Sequence, residues 1–336
     1  MRGPGRLILL LLTVLVLSQM GRMAVRQVYD GPGPLPEAAD IFIPPGGTHQ
    51  VAVLLARRRA IRSARLFEIA AFLTRGQGPI RSGDFRFTDH ASLRAVLHTL
   101  RFAPEIQFKA TIPEGLTSAR IAAIVNALPH ATGRVSPPPE GSILPQTYDY
   151  TYGTARSAIA ARMQAAMKAA LAKAWASRAP GLPVRTKGEA LILASIVQLE
   201  TPLAAELPKI AGVYENRLAR GMKLQADPTV IYAVTGGAAT ALPHRVDDRD
   251  LATASPYNTY RHKGLPPGPI CAPGLAAINA VLHPAQTDAL YFVATGTGGH
   301  VFARTFAEQR KNIARYDAVR ARRDAAPGPA ASSGKK

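Results

Sequence analysis

The N-terminal segment constrains the chain most, because it decides on which side of a membrane the rest of it folds. Arg2 and Arg6 precede an almost unbroken apolar run over residues 7–17, and apolar residues continue past Arg22. Positive charge ahead of such a run predicts that the N-terminus stays in the cytoplasm and that the remainder is exported. The run is short for a membrane-spanning helix of about 20 residues, so a cleavable secretory signal is the alternative. Since no small-residue cleavage site follows, we interpret residues 1–25 as a cytoplasmic N-terminus and an uncleaved anchor.

The second feature is a formal net charge of +19, from 41 lysines and arginines against 22 acidic residues. Such an excess implies an anionic neighbour: nucleic acid, an anionic membrane surface or a polymer that carries carboxylates. Arginine clusters lie at residues 57–65 and 315–323, and no aromatic residues alternate with them as a single-strand stacking platform would require. Both clusters also fit a solvated helix face. Together with the predicted export, this argues against nucleic acid as a partner.

The chain offers no pattern for a disulfide or a metal site. Cys271 is the only cysteine, which excludes an internal disulfide and a zinc cage built from cysteines. The eight histidines are scattered, with no His-x-x-x-His pair, so a metal hydrolase is a poor alternative. No cofactor and no metal are therefore predicted.

The rest of the sequence predicts an α+β organisation. A Pro/Gly-rich linker covers residues 26–40, and short strands alternate with helical runs over residues 41–110, which predicts a small α+β module. Residues 111–322 are mainly helical, with a long helix over 155–176 and a hairpin turn at Gly296-Thr297-Gly298-Gly299. Residues 323–336 are rich in Ala, Pro, Gly and Ser and are predicted to be a disordered tail.

The strongest local signal for a site is a buried helix that ends in an acid. Thr186 and Glu189 have the spacing of a capping box, which begins a helix. Residues 190–200 are apolar nearly all round, which predicts a helix buried in a domain centre. Glu200 ends it, since Pro202 disfavours helical geometry at the residue before it. Burial and the negative end of the helix dipole should raise the pKa of this carboxyl toward neutrality, as a general acid requires.

Two interpretations of this region stay open from the residues alone. Glu200 could instead be a structural glutamate, ion-paired with Arg217 on the next helix, which is predicted over residues 208–220. Downstream, residues 255–269 gather amides, hydroxyls and aromatic rings on a proline-stiffened backbone. Such a surface suits a sugar, because rings stack on pyranose faces and amides bind hydroxyls. A plain structural loop is the alternative.

Several motifs, found together and in order over residues 40–316, resemble the MltG (YceG-like) endolytic murein transglycosylases. They read EG (140–141), LPQTY (144–148), ASIV (194–197), ET (200–201), VYENRL (213–218), LQADPTVIY (224–232), SPYNTY (255–260), GLPPGPI (264–270), LYFVA (290–294) and GGHVF (298–302). Any one of these motifs alone would be weak, and their order makes the resemblance specific.

The resemblance implies a single-pass inner-membrane protein with its catalytic domain in the periplasm. A LysM-like membrane-proximal module (41–110) would precede a lysozyme-like, YceG-like catalytic domain (111–322) that carries a small β-hairpin. Members of the family cleave the MurNAc–GlcNAc β-1,4 bond of peptidoglycan without water and leave a 1,6-anhydro-MurNAc end. They trim nascent strands beside peptidoglycan synthases, the penicillin-binding proteins, so such synthases are the expected partners. A non-catalytic, membrane-tethered peptidoglycan-binding scaffold is the alternative function.

The resemblance also makes Glu200 the single expected catalytic residue, first as acid and then as base, because the C6 hydroxyl of the substrate replaces water. Asp227 is expected to brace the loop before Pro228. The expected substrate-binding residues are Gln225, Asp227, Tyr257, Asn258 and Tyr260. The sequence departs from the family pattern at three positions. Gln198 stands where a second acid is common, Ala226 where Ser or Thr is usual, and Ala272 where Asn is usual.

Overall fold

The structure, a computed structural model, describes residues 4–325 and divides into two compact units. Unit 1 covers the chain up to Phe108 together with Asp149–Thr154, and unit 2 covers Lys109–Tyr148 and the chain from Ala155 onward. Helices and small two-stranded sheets make up both units, as the predicted α+β class requires.

Unit 1 begins with helix α1, Pro4–Asp30, whose segment Leu9–Asp30 is long and apolar enough to cross a membrane. The helix therefore continues to the fifth residue of the predicted linker. Its last turn is held by tertiary contacts that sequence periodicity does not show. Tyr29 packs against the core of unit 1, and the Asp30 carboxylate pairs with the Arg94 guanidinium at 2.5 Å.

The remainder of unit 1 is a hairpin-like sheet covered by three helices. Strand β1 (Ala39–Ile43) pairs antiparallel with β2 (Gly83–Phe87), and Ile41 lies opposite Phe85. Alternation along both strands sends Ile41, Ile43, Phe85 and Phe87 into one core. The helices are α2 (Thr48–Arg57), α3 (Ala64–Leu73) and α4 (Leu93–Phe102).

Unit 2 is mainly helical. Its helices are α5 (Ser118–Ala127), α6 (Arg156–Ala176), α7 (Lys187–Glu200), α8 (Leu207–Ala219), α9 (Asp227–Thr235), α10 (Asp248–Leu251), α11 (Leu275–Leu282) and α12 (Phe306–Ala325). Strands β3 (Phe108–Thr111) and β4 (Thr147–Tyr150) form one two-stranded sheet, and the predicted hairpin is present as β5 (Tyr291–Ala294) and β6 (His300–Ala303). Helix α12 enters the predicted tail 323–336, of which the part beyond Ala325 lies outside the described residues.

Helix α7 lies at the centre of the unit 2 core, in contact with α6, α8, α9 and α11. The predicted capping box is confirmed: the Thr186 side chain accepts from the backbone of Glu189, and the Glu189 carboxylate accepts from the backbone of Thr186. Leu193, Ile196 and Val197 are fully buried. A helix surrounded in this way has a fixed end, and that end is Glu200.

Candidate active site

Glu200 is the last residue of α7 because the backbone turns away immediately after it. Thr201 is extended, with φ −148° and ψ 141°, as the following Pro202 requires. The Thr201 hydroxyl donates to the Glu206 carboxylate at 3.1 Å and accepts from the backbone of Leu203 at 3.1 Å. The sequence thus stops the helix and fixes the exit of the chain, so the Glu200 carboxyl projects from a rigid end.

Within the described residues, the Glu200 carboxyl has one direct hydrogen-bond donor, the hydroxyl of Tyr214 on α8. Burial raises the pKa of Glu200 to about 7, against the Tyr214 hydrogen bond, which favours the carboxylate. The negative charge of Asp227 raises the pKa of Glu200 further, and the positive charge of Arg217 lowers it. Tyr214 is itself buried, and burial raises its pKa well above its usual value, so its hydroxyl stays a donor. This carboxyl can hold a proton at neutral pH and also release it.

Arg217 does not form the structural ion pair that was the alternative role for Glu200. Its Nε donates to the backbone oxygen of Leu290 at 2.7 Å, and one terminal nitrogen donates to the backbone oxygen of Leu224 at 2.6 Å. Glu200 takes part in no salt bridge among residues 4–325. Arg217 therefore holds two loops together and acts on Glu200 only through its charge.

Three predicted substrate residues, Gln225, Asp227 and Tyr260, line the same cavity as Glu200. The Tyr260 hydroxyl donates to the Asp227 carboxylate at 2.6 Å. Burial, first of all, and then Asp227 raise the pKa of Tyr260, which keeps that hydroxyl protonated. Gln225 has a left-handed backbone, with φ +52°, a costly conformation that is common at functional sites. Its loop is pinned by Thr259, whose backbone oxygen accepts from the backbone of Gln225.

The other two predicted substrate residues, Tyr257 and Asn258, are absent from the lining of this cavity. Asn258 is fully buried, and its amide nitrogen donates to the backbone oxygens of Leu251 and Thr253. Its side-chain oxygen accepts from the backbone of Tyr260 at 3.0 Å. The polar atoms of Asn258 are thus already used to shape the loop, and its contact with sugar stays a prediction that this geometry does not favour. Tyr257 packs against the unit 2 core, with its ring 4.8 Å from that of Tyr232.

The β5–β6 hairpin supplies a wall of the cavity that sequence analysis did not assign. His300 donates its backbone N–H to one oxygen of Glu206 at 2.7 Å, and its Nδ1 lies 2.7 Å from the other. Burial by itself would raise the pKa of Glu206. The hydrogen bonds from His300 act in the opposite direction, and the pKa is lowered. The Phe292 ring stands edge-on to His300 and to Tyr214, at 5.4 and 5.7 Å. Glu206 thus ties the hairpin to the segment that follows α7.

These walls enclose a cavity of about 320 Å³. Its lining residues are Glu200, Tyr214, Arg217, Leu224, Gln225, Asp227, Arg245, Tyr260, Phe292, Val293, Ala294, His300 and Tyr316. At its edge the Arg245 guanidinium lies 5.6 Å from the Tyr316 ring centre. Tyr214 and His300 belong to the sequence motifs, but the sequence assigned neither of them a role. The structure places both in the lining of the cavity that holds Glu200. Aromatic rings and polar groups around a carboxyl with a raised pKa, Glu200, are the composition expected of a carbohydrate-cleaving site.

Gln198, where the family commonly has a second acid, faces away from this cavity. Its amide nitrogen donates to the Glu114 carboxylate at 3.3 Å, and its oxygen accepts from the backbone of Gly274 at 2.8 Å. An amide can donate to a carboxylate and accept from an N–H at once, whereas an ionised acid at this position could only accept. The departure at this position therefore serves packing at the start of α11 and takes no part in the Glu200 site.

In the described part of the chain, one group of side chains could converge on a metal ion: His244, Asp247 and Asp250. The two aspartates already form the capping box of the short helix α10, each accepting from the backbone of the other. The cluster is thus accounted for by local structure.

Comparisons with known proteins agree with this site. The profile of the YceG-like family matches residues 41–315. The endolytic murein transglycosylase of Bacillus subtilis (strain 168) is 44% identical over 126 residues, which is 38% of this chain and 34% of that protein. That of Streptococcus pneumoniae serotype 2 (strain D39) is 34% identical over 180 residues, 53% of this chain and 32% of that protein. The matched regions thus span about a third of these curated relatives.

Among solved structures, a YceG-like protein from Listeria monocytogenes has a similar fold. Its crystal structure superposes with a TM-score of 0.50 at 26% identity. The match covers 82% of this chain and 99% of that chain.

Proposed function

Because this chain belongs to the YceG-like family, we propose that it is an endolytic murein lytic transglycosylase. It cleaves the MurNAc–GlcNAc β-1,4 bond inside peptidoglycan strands and leaves a 1,6-anhydro-MurNAc end, which terminates elongation of nascent strands. The observation that carries the proposal is Glu200, a carboxyl with a pKa of about 7 and no ion pair within residues 4–325, fixed at a rigid helix end in an aromatic and polar cavity.

In the first step the protonated Glu200 donates its proton to the glycosidic oxygen, and the bond from that oxygen to C1 of MurNAc breaks. A carboxyl with a pKa near the working pH is suited to this step, because it is both substantially protonated and acidic enough to transfer the proton. Tyr214 then stabilises the carboxylate that forms, since its hydroxyl already donates to Glu200.

In the second step the C6 oxygen of the same MurNAc bonds to C1, and its proton passes to the Glu200 carboxylate. No water is consumed, and Glu200 returns to its protonated form. The reaction therefore needs one carboxyl acting twice, whereas ordinary glycosidases use two. Asp227 is occupied by the Tyr260 hydroxyl, which fits a bracing role beside the sugar.

Substrate contacts are assigned to polar and aromatic groups that line the cavity. Gln225 and Tyr260 would position the sugar or polarise its N-acetyl group, and Phe292 offers a ring edge beside Tyr214. Tyr257 and Asn258 support these groups from behind, through core packing and backbone hydrogen bonds.

For the whole chain we propose the organisation that the family implies. Helix α1 anchors the protein in the cell inner membrane, with both units in the periplasm. The module at residues 41–110 is LysM-like, and the helical domain at 111–322 is lysozyme-like. Peptidoglycan strands are the substrate, and penicillin-binding synthases are the partners beside which the enzyme works.

The test is digestion of purified murein sacculi by the detergent-solubilised full chain, followed by mass spectrometry of the products. We expect anhydro-muropeptides from the parent protein and none above background from Glu200→Gln, which keeps the shape of the side chain and removes its proton. Glu37→Gln is the matched control, because Glu37 is exposed and far along the chain from the site motifs.

Three outcomes would contradict the proposal. Products with reducing ends would indicate hydrolysis. Anhydro products from Glu200→Gln would remove Glu200 from the mechanism. Unchanged murein with retained binding would identify a peptidoglycan-binding scaffold.

A further inference from the structure

Helix α3 in unit 1 exposes large apolar side chains on the face that points away from the core. Phe67 and Ala71 are buried, while Leu66, Ile69, Phe72 and Leu73 are 40%, 50%, 63% and 74% exposed. At 100° per residue these four side chains fall on one side of the helix, opposite Phe67. We call them the outer α3 face.

A helix that is apolar on both faces normally has a partner on each. The inner face of α3 packs against the sheet core, whereas the four exposed apolar side chains of the outer α3 face have no such cover, and the exposed Arg65 falls on the same side of the helix. Scattered exposed apolar residues need no explanation, but a cluster on one helix face marks an interaction surface. The question is therefore which partner covers it.

The position of α3 within unit 1 points to the membrane. Gln27 and Val28, in the last turns of α1, line the same cleft of about 290 Å³ as Ser63 and Leu66 at the start of α3. The outer α3 face therefore begins beside the point where the apolar span ends. A surface in that place lies at the depth of the lipid headgroups when α1 spans a bilayer.

The charges around α3 point the same way. Between residues 57 and 77 stand six arginines and one acidic residue, Glu68, which pairs with His49 at 2.6 Å. The six arginines are all exposed: Arg57, Arg58, Arg59, Arg62, Arg65 and Arg75. Apolar anchors flanked by arginines are the composition of a helix that lies in the interface of an anionic membrane.

We propose that the outer α3 face docks on the membrane leaflet at which α1 ends, with Phe72 and Leu73 among the acyl chains and the arginines on anionic phospholipid headgroups. The docked helix gives unit 1 a second attachment besides α1. Two attachments fix the orientation of unit 1 on the bilayer, whereas a single helix would let it rotate.

The experiment places a tryptophan on this face in the full chain. Phe72→Trp is reconstituted into nanodiscs that contain phosphatidylglycerol and phosphatidylcholine with brominated acyl chains, which quench tryptophan on contact. The parent has one tryptophan, Trp175, which supplies the background. We expect the added fluorescence of Phe72→Trp to be quenched at least about twofold more than that of Trp175, because an interfacial helix buries its apolar side chains at acyl depth.

A control within unit 1 is Tyr152→Trp, at a ring that stacks on Phe42 at 3.7 Å and does not belong to the outer α3 face. Its fluorescence should be quenched no more than that of Trp175. In the Phe72→Trp chain, the pair Arg58→Gln and Arg65→Gln should weaken quenching. The pair Arg310→Gln and Lys311→Gln, which removes the same charge from α12, should leave it unchanged.

Quenching of Phe72→Trp no greater than that of Tyr152→Trp would overturn the proposal, whether or not the chain self-associates. Strong quenching that persists unchanged in pure phosphatidylcholine would also overturn it, because the anionic headgroups would then have no part in docking.

Discussion

At the scale of single residues, the site depends on how one carboxyl is kept near its titration point. Burial alone would hold Glu200 protonated, and the Tyr214 hydroxyl opposes that effect by donating to the carboxylate. These two contributions, with the smaller effects of the Asp227 and Arg217 charges, put the pKa of Glu200 at about 7. A carboxyl at that point can serve as acid in one step and as base in the next.

The first prediction concerns the pH dependence of Tyr214→Phe. Because the first step needs protonated Glu200, the rate of the parent should fall as pH rises through about 7. Removal of the Tyr214 hydroxyl takes away a contact that lowers the pKa of Glu200. The falling limb of the pH–rate profile should therefore move to higher pH. Initial rates of anhydro-muropeptide release between pH 5 and pH 9 measure it. A limb that stays in place or moves to lower pH would contradict the assignment.

The second prediction concerns the stability cost of the same carboxyl. The folded pKa of Glu200, about 7, lies above the unfolded value of about 4.3. The unfolded state therefore gives up its proton first, and the group destabilises the fold increasingly as pH rises from about 4 to 7. Glu200→Gln should be more stable than the parent by about 3 to 4 kcal/mol at pH 8 and nearly equally stable at pH 4. Urea denaturation at both pH values checks it, and equal stability at pH 8 would refute it.

At the scale of elements, the site is assembled from one rigid helix and pieces tied to it. Helix α7 carries Glu200, α8 carries Tyr214, and the β5–β6 hairpin brings Phe292 and His300. The hairpin is bound to the segment after α7 through Glu206, which accepts three hydrogen bonds.

The third prediction concerns Glu206→Ala, which removes that tie. We expect a loss of about 2 kcal/mol in the free energy of unfolding at pH 7, since the hydrogen-bond donors are left partly buried without an acceptor. We also expect a raised KM, since His300 lines the cavity. The folded pKa of Glu206 is lowered, so its contribution is present above about pH 4.3 and is lost as pH falls further. The deficit should therefore shrink at pH 3. Glu37→Ala should lose no free energy of unfolding at either pH. A loss for Glu206→Ala that is independent of pH would contradict the role of the hydrogen bonds to the Glu206 carboxylate.

The fourth prediction concerns the capping box of α7. Thr186→Ala removes the acceptor for the Glu189 backbone and should cost about 1 kcal/mol. Because the cap lies at the opposite end of the helix from Glu200, the pH dependence of the rate should stay as in the parent. Urea denaturation and the pH–rate profile test the two parts separately. A shifted profile would mean that the cap influences the catalytic end.

At the scale of the whole molecule, the fifth prediction follows from the net charge of +19. If the basic surface meets the carboxylates of murein stem peptides, binding of the full chain to sacculi should weaken at least about threefold between about 50 and 500 mM salt, as the Debye length shortens. Sacculi whose carboxylates have been converted to neutral amides with a carbodiimide and ethanolamine are the control and should show little salt dependence. Equal salt dependence for both substrates would assign the charge to another neighbour.

Sequence patterns predicted the α+β class, the capped and buried helix α7, the hairpin near residue 297 and the carboxyl at Glu200. These features depend on spacing along the chain, which the sequence displays directly. Helix α1 runs five residues past residue 25, the predicted end of the anchor, because Tyr29 and Asp30 hold its last turn through contacts with distant residues.

The sequence could not show which residues distant along the chain form hydrogen bonds with each other. Asn258 has the residue type of a sugar contact, yet its amide is consumed by the backbone of Leu251 and Thr253. Arg217 has the charge to neutralise Glu200, yet it donates to backbone oxygens instead. The sequence by itself determined where an acid would stand and that it would be buried. Only the tertiary structure decided its partner, Tyr214, and hence its pKa, because a hydrogen bond between residues on different helices depends on how those helices pack.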